Sequence, residues 1–157
     1  IIPLQKELEH AVSYLSIQNV RFQDKFTFTV DWDEKLADCL CPKLVIQPLL
    51  ENAVYHGMEG MYEDGEIQLK IYAVNELVHI DVIDNGEGMT EAQVQKMMQG
   101  DVVSSKRGSG IGVKNVNDRI KLYFGEAYGI QIISAPDEGT TARIYFPMRR
   151  QEDEIEK

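Results

Sequence analysis

From Leu4 onward the apolar positions Leu8, Ala11, Val12, Leu15 and Phe22 recur at three- and four-residue steps. That is the period of an amphipathic helix, so the spacing predicts a first helix over 4–23. Phe26, Phe28 and Val30 then alternate with Thr27 and Thr29, as in a half-buried strand, and 32–41 reads as loop. Pro42 sits where a helix tolerates proline, in its first turn. Val45, Ile46, Leu49, Leu50 and Ala53 continue at helical spacing up to Gly57, which predicts a second helix over 42–57. Ile67, Leu69 and Ile71, then Val78, Ile80 and Val82, alternate with polar residues on either side of Asn75-Glu76, the pattern of a hairpin. A threonine cap and an acidic residue open a short helix over 90–99. Residues 100–112 are rich in glycine and serine and read as a mobile loop. A third main helix is predicted over 111–124, and two alternating strands, near 129–134 and 140–146, close the chain. The sum is an α+β, two-layer α/β sandwich, with a mixed, mostly antiparallel sheet of about five strands packed on three main helices.

Composition narrows the partners. With 157 residues the chain forms one ordinary domain able to bury a core without disulfide or metal. It carries 16 basic against 26 acidic side chains, a formal net charge of −10, which argues against a nucleic-acid surface and, more weakly, against anionic membranes. No uninterrupted apolar run exceeds 71–74, and no opening stretch has a signal-peptide pattern, so the expectation is a soluble piece. It opens on Ile1-Ile2-Pro3 without methionine, which suggests a segment of a longer parent. Cys39 and Cys41 have neither a second ligand pair nor a nearby histidine, and read as two reduced thiols.

Four segments hold residues suited to chemistry. Asp84 shares strand parity with Val78, Ile80 and Val82, which aims a carboxylate inward at a strand end. It needs a donor there, and a ligand amino group would serve, the alternative being a turn aspartate before Gly86 and Gly88. Gly108, Gly110 and Gly112 alternate at the opening of a helix, where backbone amides and the helix N-terminus suit a phosphate. The spacing matches neither the dinucleotide fingerprint nor a P-loop, and a flexible hinge is the alternative. Asn52 and His56 lie four apart on one helix face, where the amide oxygen is a reasonable ligand for Mg2+ or simply a solvated group. Thr140 shares the inward parity of Ala142, Ile144 and Phe146, so its hydroxyl could bond the same ligand as Asp84.

Taken together and in this order, the segments resemble the GHKL (Bergerat-fold) ATP-binding domain of histidine kinases. Residues 42–57, centred on Gln47-Pro48-Leu49-Leu50-Glu51-Asn52-Ala53, look like the N box. Asp84-x-Gly86-x-Gly88 looks like the G1 box, and Gly108-x-Gly110-x-Gly112 like the G2 box. That form of the N box, the preceding Glu7-Leu8-Glu9-His10, Tyr14-Leu15 and Arg21-Phe22, and the later Asn115-Val116-x-x-Arg119-Ile120 resemble the YesM/LytS type of bacterial sensor kinase. The similarity runs over nearly all of 4–147.

The resemblance implies that Asp84 accepts a hydrogen bond from the adenine amino group, with Thr140 beside it, and that Asn52 coordinates Mg2+. It implies that Gly86 and Gly88 shape the adenine floor, that Gly108, Gly110 and Gly112 give amides to the phosphates, and that His56 lies near them. Met89, directly after the first glycine box, and Ile111, inside the second, count with the ATP-binding residues. Residues 90–107 would form the ATP lid, and Lys106 with Arg107 would face the terminal phosphates or solvent. By the same resemblance, 1–24 would be a helix linking to a dimerisation and phospho-acceptor region, 25–150 the ATP-binding catalytic domain, and 151–157 an acidic tail. The parent would be a homodimeric protein of the bacterial cell membrane with this domain in the cytoplasm, passing phosphate to a response regulator.

The chain departs from the pattern twice. Tyr55 stands where many sensor kinases carry a basic residue three positions after the metal asparagine. No histidine sits in a phospho-acceptor setting, so no catalytic residue is assigned within this chain. Three other readings share the fold or the ligand: an anti-sigma-factor serine kinase, an ATP-driven clamp of the gyrase or mismatch-repair type, and a nucleotide-binding module without catalysis. The first two usually carry an acidic residue four positions before the metal asparagine, where this chain has Pro48.

Overall fold

Alternating valines, isoleucines and phenylalanines give five strands one buried face, and helical stripes of leucine, isoleucine and valine cover it. The computed structural model describes residues 1–21, 26–58, 64–100 and 110–150, the side chains of 56–58, 110 and 111 excepted. In chain order the elements are β1 (Ile2–Pro3), α1 (Leu4–Arg21), β2 (Phe26–Trp32), β3 (Leu40–Cys41), α2 (Ile46–Asn52), β4 (Gly65–Val74), β5 (Leu77–Asp84), α3 (Glu91–Met98), α4 (Gly110–Phe124), β6 (Gly129–Ser134) and β7 (Thr140–Pro147). The main sheet has the order β2-β4-β5-β7-β6, with β2 parallel to β4 and every other pair antiparallel. The two-layer α+β expectation therefore holds.

The core lies between the sheet and α1, α2 and α4. Ile67, Leu69 and Ile71 from β4, Val78, Ile80 and Val82 from β5, and Ala142, Ile144 and Phe146 from β7 are all buried. Leu4, Leu8, Ala11 and Leu15 of α1, Ile46, Leu49 and Leu50 of α2, and Val113, Val116 and Ile120 of α4 meet them. Phe124 stacks on Phe146 with ring centroids 5.0 Å apart. The short α3 follows the expected rule: Thr90 accepts from the Gln93 backbone while the Gln93 side chain accepts from the Thr90 backbone, a capping box. Its Met97 reaches the core.

Three sequence expectations need correction. The stretch 32–41 is not plain loop. β2 runs on to Trp32, Glu34–Leu36 makes a 3₁₀ turn, and β3 pairs antiparallel with β1 in a second, two-stranded sheet. Strands of two residues are too short to show alternation, so this sheet has no sequence signal. The second helix does not start at Pro42, because Leu44 takes a left-handed φ of 58° that no α-helix accommodates. It starts at Ile46, and from Ala53 to Met58 its continuation is π-helical. Val45 offers no side-chain cap. The cap comes from α1: Glu7, only 2% exposed, accepts the Leu44 N–H on Oε1 at 2.9 Å and the Val45 and Ile46 N–H groups on Oε2 at 3.0 Å each. Last, α4 already includes Gly110, so 110–112 are helix rather than loop. Residues 22–25 at the expected end of the first helix, 101–109 in the expected loop and the tail 151–157 lie outside the described residues.

The β4–β5 hairpin turns on Asn75 and Glu76, with φ of 49° and 66°. Two left-handed residues in a two-residue connection match the right-handed twist of the flanking strands, a geometry that favours Asn-Gly. Glutamate at the second position is strained by about 1–2 kcal/mol, whereas glycine would lose about 0.5–1 kcal/mol more backbone entropy. Glu76→Gly is therefore expected to stabilise the chain by up to about 1 kcal/mol, raising the thermal midpoint by about 2–4 °C. A lower midpoint by scanning calorimetry would show that the Glu76 backbone carries no strain.

Candidate functional site

β5 ends at Asp84 and β7 begins at Thr140, and the antiparallel register sets these two residues opposite each other. Asp84 follows Val78, Ile80 and Val82 to the inner face and is 6% exposed. The Gly86 N–H donates to its Oδ1 at 2.9 Å, and a backbone hydrogen bond from Thr140 adds a second donor. Burial outweighs these two donors and pushes the carboxyl up to about 6. A buried acid with spare acceptor capacity is suited to a neutral N–H donor brought by a ligand.

Ser134, at the end of β6, joins this group to the loop after β5. Its Oγ accepts the Met89 N–H at 2.8 Å, donates to the Gly139 carbonyl at 2.9 Å, and lies 2.8 Å from the Thr140 hydroxyl. Serine has one proton. With that proton on Gly139, the Thr140 hydroxyl donates to Ser134, and its own lone pairs are left to accept from a ligand. Two glycines let the backbones come this close. A Cβ on Gly88, at φ 70°, would lie 2.0 Å from the Ala135 carbonyl oxygen, and one on Gly139, at φ 75°, would lie 2.1 Å from the Asp84 carbonyl oxygen. The Asp137 N–H closes the arrangement onto the Glu87 carbonyl at 2.6 Å. Met89 is buried behind it.

α2 packs on β5 and on α4. Asn52, its last residue, is 7% exposed, and its Oδ1 has no hydrogen-bond partner among the described residues. A buried acceptor left open is unusual enough to mark a ligand position. One turn earlier on the same face, α2 meets the opening of α4: a Cβ on Gly112 would lie 3.4 Å from the Pro48 Cβ. The first four N–H groups of α4 have no carbonyl partner within the helix, which makes its N-terminus suitable for an anion. Glu51 faces elsewhere. It accepts from the Gln47 side chain at 3.2 Å and stands beside Tyr14 of α1, whose phenol is pushed up by burial first and then by the Glu51 charge.

The structure thus brings together Asp84, Gly86, Gly88, Met89 and Thr140 in one group, and seats Gly112 against Pro48, one helical turn before Asn52. His56 belongs to the π-helical segment, and Gly110 and Ile111 to the first turn of α4, with no side-chain description. Lys106, Arg107 and Gly108 lie outside the described residues. Ser134 was missed, because a serine ending an alternating strand has no signature of its own. Among the described residues no group of three or more His, Cys, Asp or Glu side chains could hold a metal ion, and no helix is long and apolar enough to cross a membrane.

A two-layer sandwich with an inward carboxylate at the end of a central strand and a helix N-terminus across from an open asparagine is the architecture of a nucleotide-binding ATPase domain. Residues 38–150 match the family described as histidine kinase-, DNA gyrase B- and HSP90-like ATPase, and the chain belongs to that family, whose nucleotide is ATP. Among its relatives, Sensor histidine kinase YesM of Bacillus subtilis is 36% identical over 151 residues, 96% of this chain and 25% of that protein. Sensor protein LytS of Bacillus anthracis is 33% identical over 154 residues, 98% of this chain and 26% of that protein. The chain therefore spans about a quarter of the length of the relatives it matches. In fold it resembles the nucleotide-free catalytic domain of histidine kinase ThkA, with a TM-score of 0.70 at 16% identity, covering 94% of this chain and 95% of that one. It also resembles the histidine kinase domain of the blue-light activated kinase EL346 of Erythrobacter litoralis, with a TM-score of 0.65 at 17% identity, covering 99% of this chain and 64% of that one.

The raised carboxyl has a consequence for stability. Because Asp84 holds its proton more tightly folded than unfolded, its contribution is fully present below about pH 4 and is lost as the pH rises through about 6. At neutral pH the buried charge costs up to about 3 kcal/mol. In the absence of nucleotide, Asp84→Asn is therefore expected to unfold at the same temperature as the parent or higher at pH 7.5, with the difference shrinking toward pH 5. Calorimetric melts at the two pH values check this. A variant clearly less stable at pH 7.5 would show that the backbone donors outweigh burial.

Proposed function

We propose that this chain is the ATP-binding catalytic domain of a sensor histidine kinase and delivers the γ-phosphate of ATP to a histidine on a dimerisation domain of the same protein. The observation that carries the reading is Asp84, buried, with its carboxyl raised to about 6, and in register with Thr140. Its free acceptor capacity suits an exocyclic amino group on a purine, and Thr140 supplies a second acceptor next to it. The α4 N-terminus, with Gly110 and Gly112 in its first turn, would receive the phosphates.

The open Oδ1 of Asn52 fits a hard cation, since an amide oxygen is a suitable ligand and Mg2+ relies mainly on water and substrate phosphates rather than a protein cage. Mg2+ held by Asn52 would supply charge neutralisation at the phosphates. The remaining work of this chain is positioning. Asp84 and Thr140 fix the base, and the α4 amides fix the phosphates. The imidazole nitrogen of the acceptor forms the new P–N bond with its lone pair as the bond from γ-phosphorus to the ADP oxygen breaks. Attack by imidazole needs no general base from this chain. Hydrolysis would need one within reach of the attacking water. Position 48, which abuts the α4 opening, is a proline, and this disfavours the serine-kinase and ATP-driven clamp readings. In the parent we place residues 25–150 as this domain and 1–24 as the helix leading to the dimerisation region. The parent is read as a homodimer at a bacterial cell membrane that signals to a response regulator.

Calorimetric titration is expected to show ATP binding strengthened by Mg2+. Asp84→Asn is expected to weaken ATP binding by about 1.5–3 kcal/mol, the scale for hydrogen bonds to charged groups. Because a purine amino group bonds the ionised carboxylate, ATP affinity of the parent is expected to fall as the pH drops below about 6, with proton release on binding near that pH. Unchanged affinity in folded Asp84→Asn would remove this residue from the site.

Asn52→Ala is expected to keep the fold, alanine being the better helix former, and to bind ATP equally with and without Mg2+. With γ-labelled ATP, label is expected on a separately supplied dimerisation segment from the parent, with phosphate release at background when this chain is alone. Brisk phosphate release, or label on this chain, would favour the other readings, and binding without any transfer would leave a nucleotide-binding module.

A further inference from the structure

Glu7 is a charged side chain in the interior of the α1–α2 contact, where a carboxylate is costly unless its lone pairs are met. Three backbone N–H groups meet them, those of Leu44, Val45 and Ile46, at 2.9, 3.0 and 3.0 Å. They belong to the turn and first residue of α2, the helix that ends six residues later at Asn52. The same turn is approached from the opposite element. Arg119 of α4 directs Nη1 at the Leu44 carbonyl, 3.4 Å away, and Leu44 itself is left-handed at φ 58°. One peptide is therefore addressed on its N–H side by α1 and on its C=O side by the helix whose first turn holds Gly110 and Gly112. Glu7 and Arg119 both fall in the stretches that carry the resemblance to the YesM/LytS type, yet neither has a part in binding nucleotide as described above.

We propose that Glu7 is a positioning residue for the nucleotide site: by capping α2 it sets the depth and rotation of that helix, and so the placement of the open Asn52 oxygen. α2 is short and has no cap of its own, with Val45 contributing no side-chain hydrogen bond. Its first turn can be held only from outside. Six residues of α-helix span about 9 Å and behave as a short rod, so a shift at Ile46 is delivered at Asn52. Asp84 stands on β5, which is held in register by β4 and β7 rather than by this cap. Losing Glu7 therefore acts selectively on what Asn52 does. The inference rests on the reading of Asn52 as the group that meets the metal–nucleotide complex.

The test compares the parent chain with Glu7→Gln, which keeps the shape but removes the charge and turns an amide N–H toward backbone donors. ATP is titrated calorimetrically with and without Mg2+, below the melting temperature of both proteins. In the variant, Mg2+-free ATP affinity is expected within about twofold of the parent, while the strengthening by Mg2+ falls about tenfold, the usual scale for groups that orient a metal ligand. A lower melting temperature with the full Mg2+ effect retained would make Glu7 merely a structural cap and overturn the proposal. So would an equal loss with and without Mg2+. Should Glu7→Gln fail to fold, amide exchange of Leu44, Val45 and Ile46 in the parent decides. Coupling is reciprocal, so their protection is expected to rise at least about threefold with MgATP and not with ATP alone. Protection indifferent to MgATP overturns the proposal. Absence of any Mg2+ effect on ATP binding in the parent overturns the reading of Asn52 itself, and this inference with it.

Discussion

The register between β5 and β7 is the constraint on which the rest depends. Val78, Ile80, Val82 and Asp84 face Phe146, Ile144, Ala142 and Thr140 in turn, and a slip of one residue would move that whole series to the other face. Apolar burial enforces the register on the helix side. On the opposite face Asp81 and Arg143 are partners, joined through two nitrogens at 2.9 and 3.1 Å, and the Tyr72 hydroxyl donates to the same carboxylate at 2.7 Å. A cross-strand ion pair of this geometry discriminates registers because its two hydrogen bonds exist in only one of them. The candidate site at the strand end thus inherits its geometry from contacts made on both faces of the sheet.

Asp81 and Asp84 sit three residues apart on one strand, both largely buried, and are treated differently. Asp81 is met by a guanidinium and a phenol. Asp84 is met by two backbone donors that do not offset its burial, and its carboxyl is raised. A sequence optimised for stability alone would place at 84 a residue without charge. Retaining an under-supplied acid there is the kind of local conflict that marks a binding site, because the missing donor is what a ligand can bring.

What was legible in the sequence is what repeats locally. Alternation located β4, β5, β6 and β7 nearly to their ends, and strand parity alone turned Asp84 and Thr140 inward. The helical periods of α1 and α4 were as clear. The second helix was misplaced at its start because two signals conflicted: Pro42 is allowed in a first turn, but the residues after it are held by a carboxylate 37 positions earlier in the chain. No local rule reaches that far. Ser134 was invisible for a related reason, since its importance lies in three partners from two other segments, and β1 and β3 are shorter than any period. The ordered motifs singled out candidate residues for an ATP site, while the contacts that hold those residues came only from the fold.

The acids and bases around α2 bear on the chemistry. Pro48 packs where the helix meets Gly112, and it has nothing to titrate. Glu51, the nearest carboxylate in sequence to Asn52, is turned toward α1 and occupied by Gln47. On the proposed reading, then, the described residues gather groups that bind and orient a nucleotide but none placed to deprotonate water. A phosphoryl donor built this way is safe to hold ATP, because its nucleophile has to arrive with its own lone pair. A neutral imidazole nitrogen attacks without first losing a proton from that nitrogen, whereas a hydroxyl or water oxygen is a weak nucleophile until a base takes its proton. On that reading, the absence of such a base among the described residues would make the chain a poor ATPase and would let it reserve the γ-phosphate for a histidine.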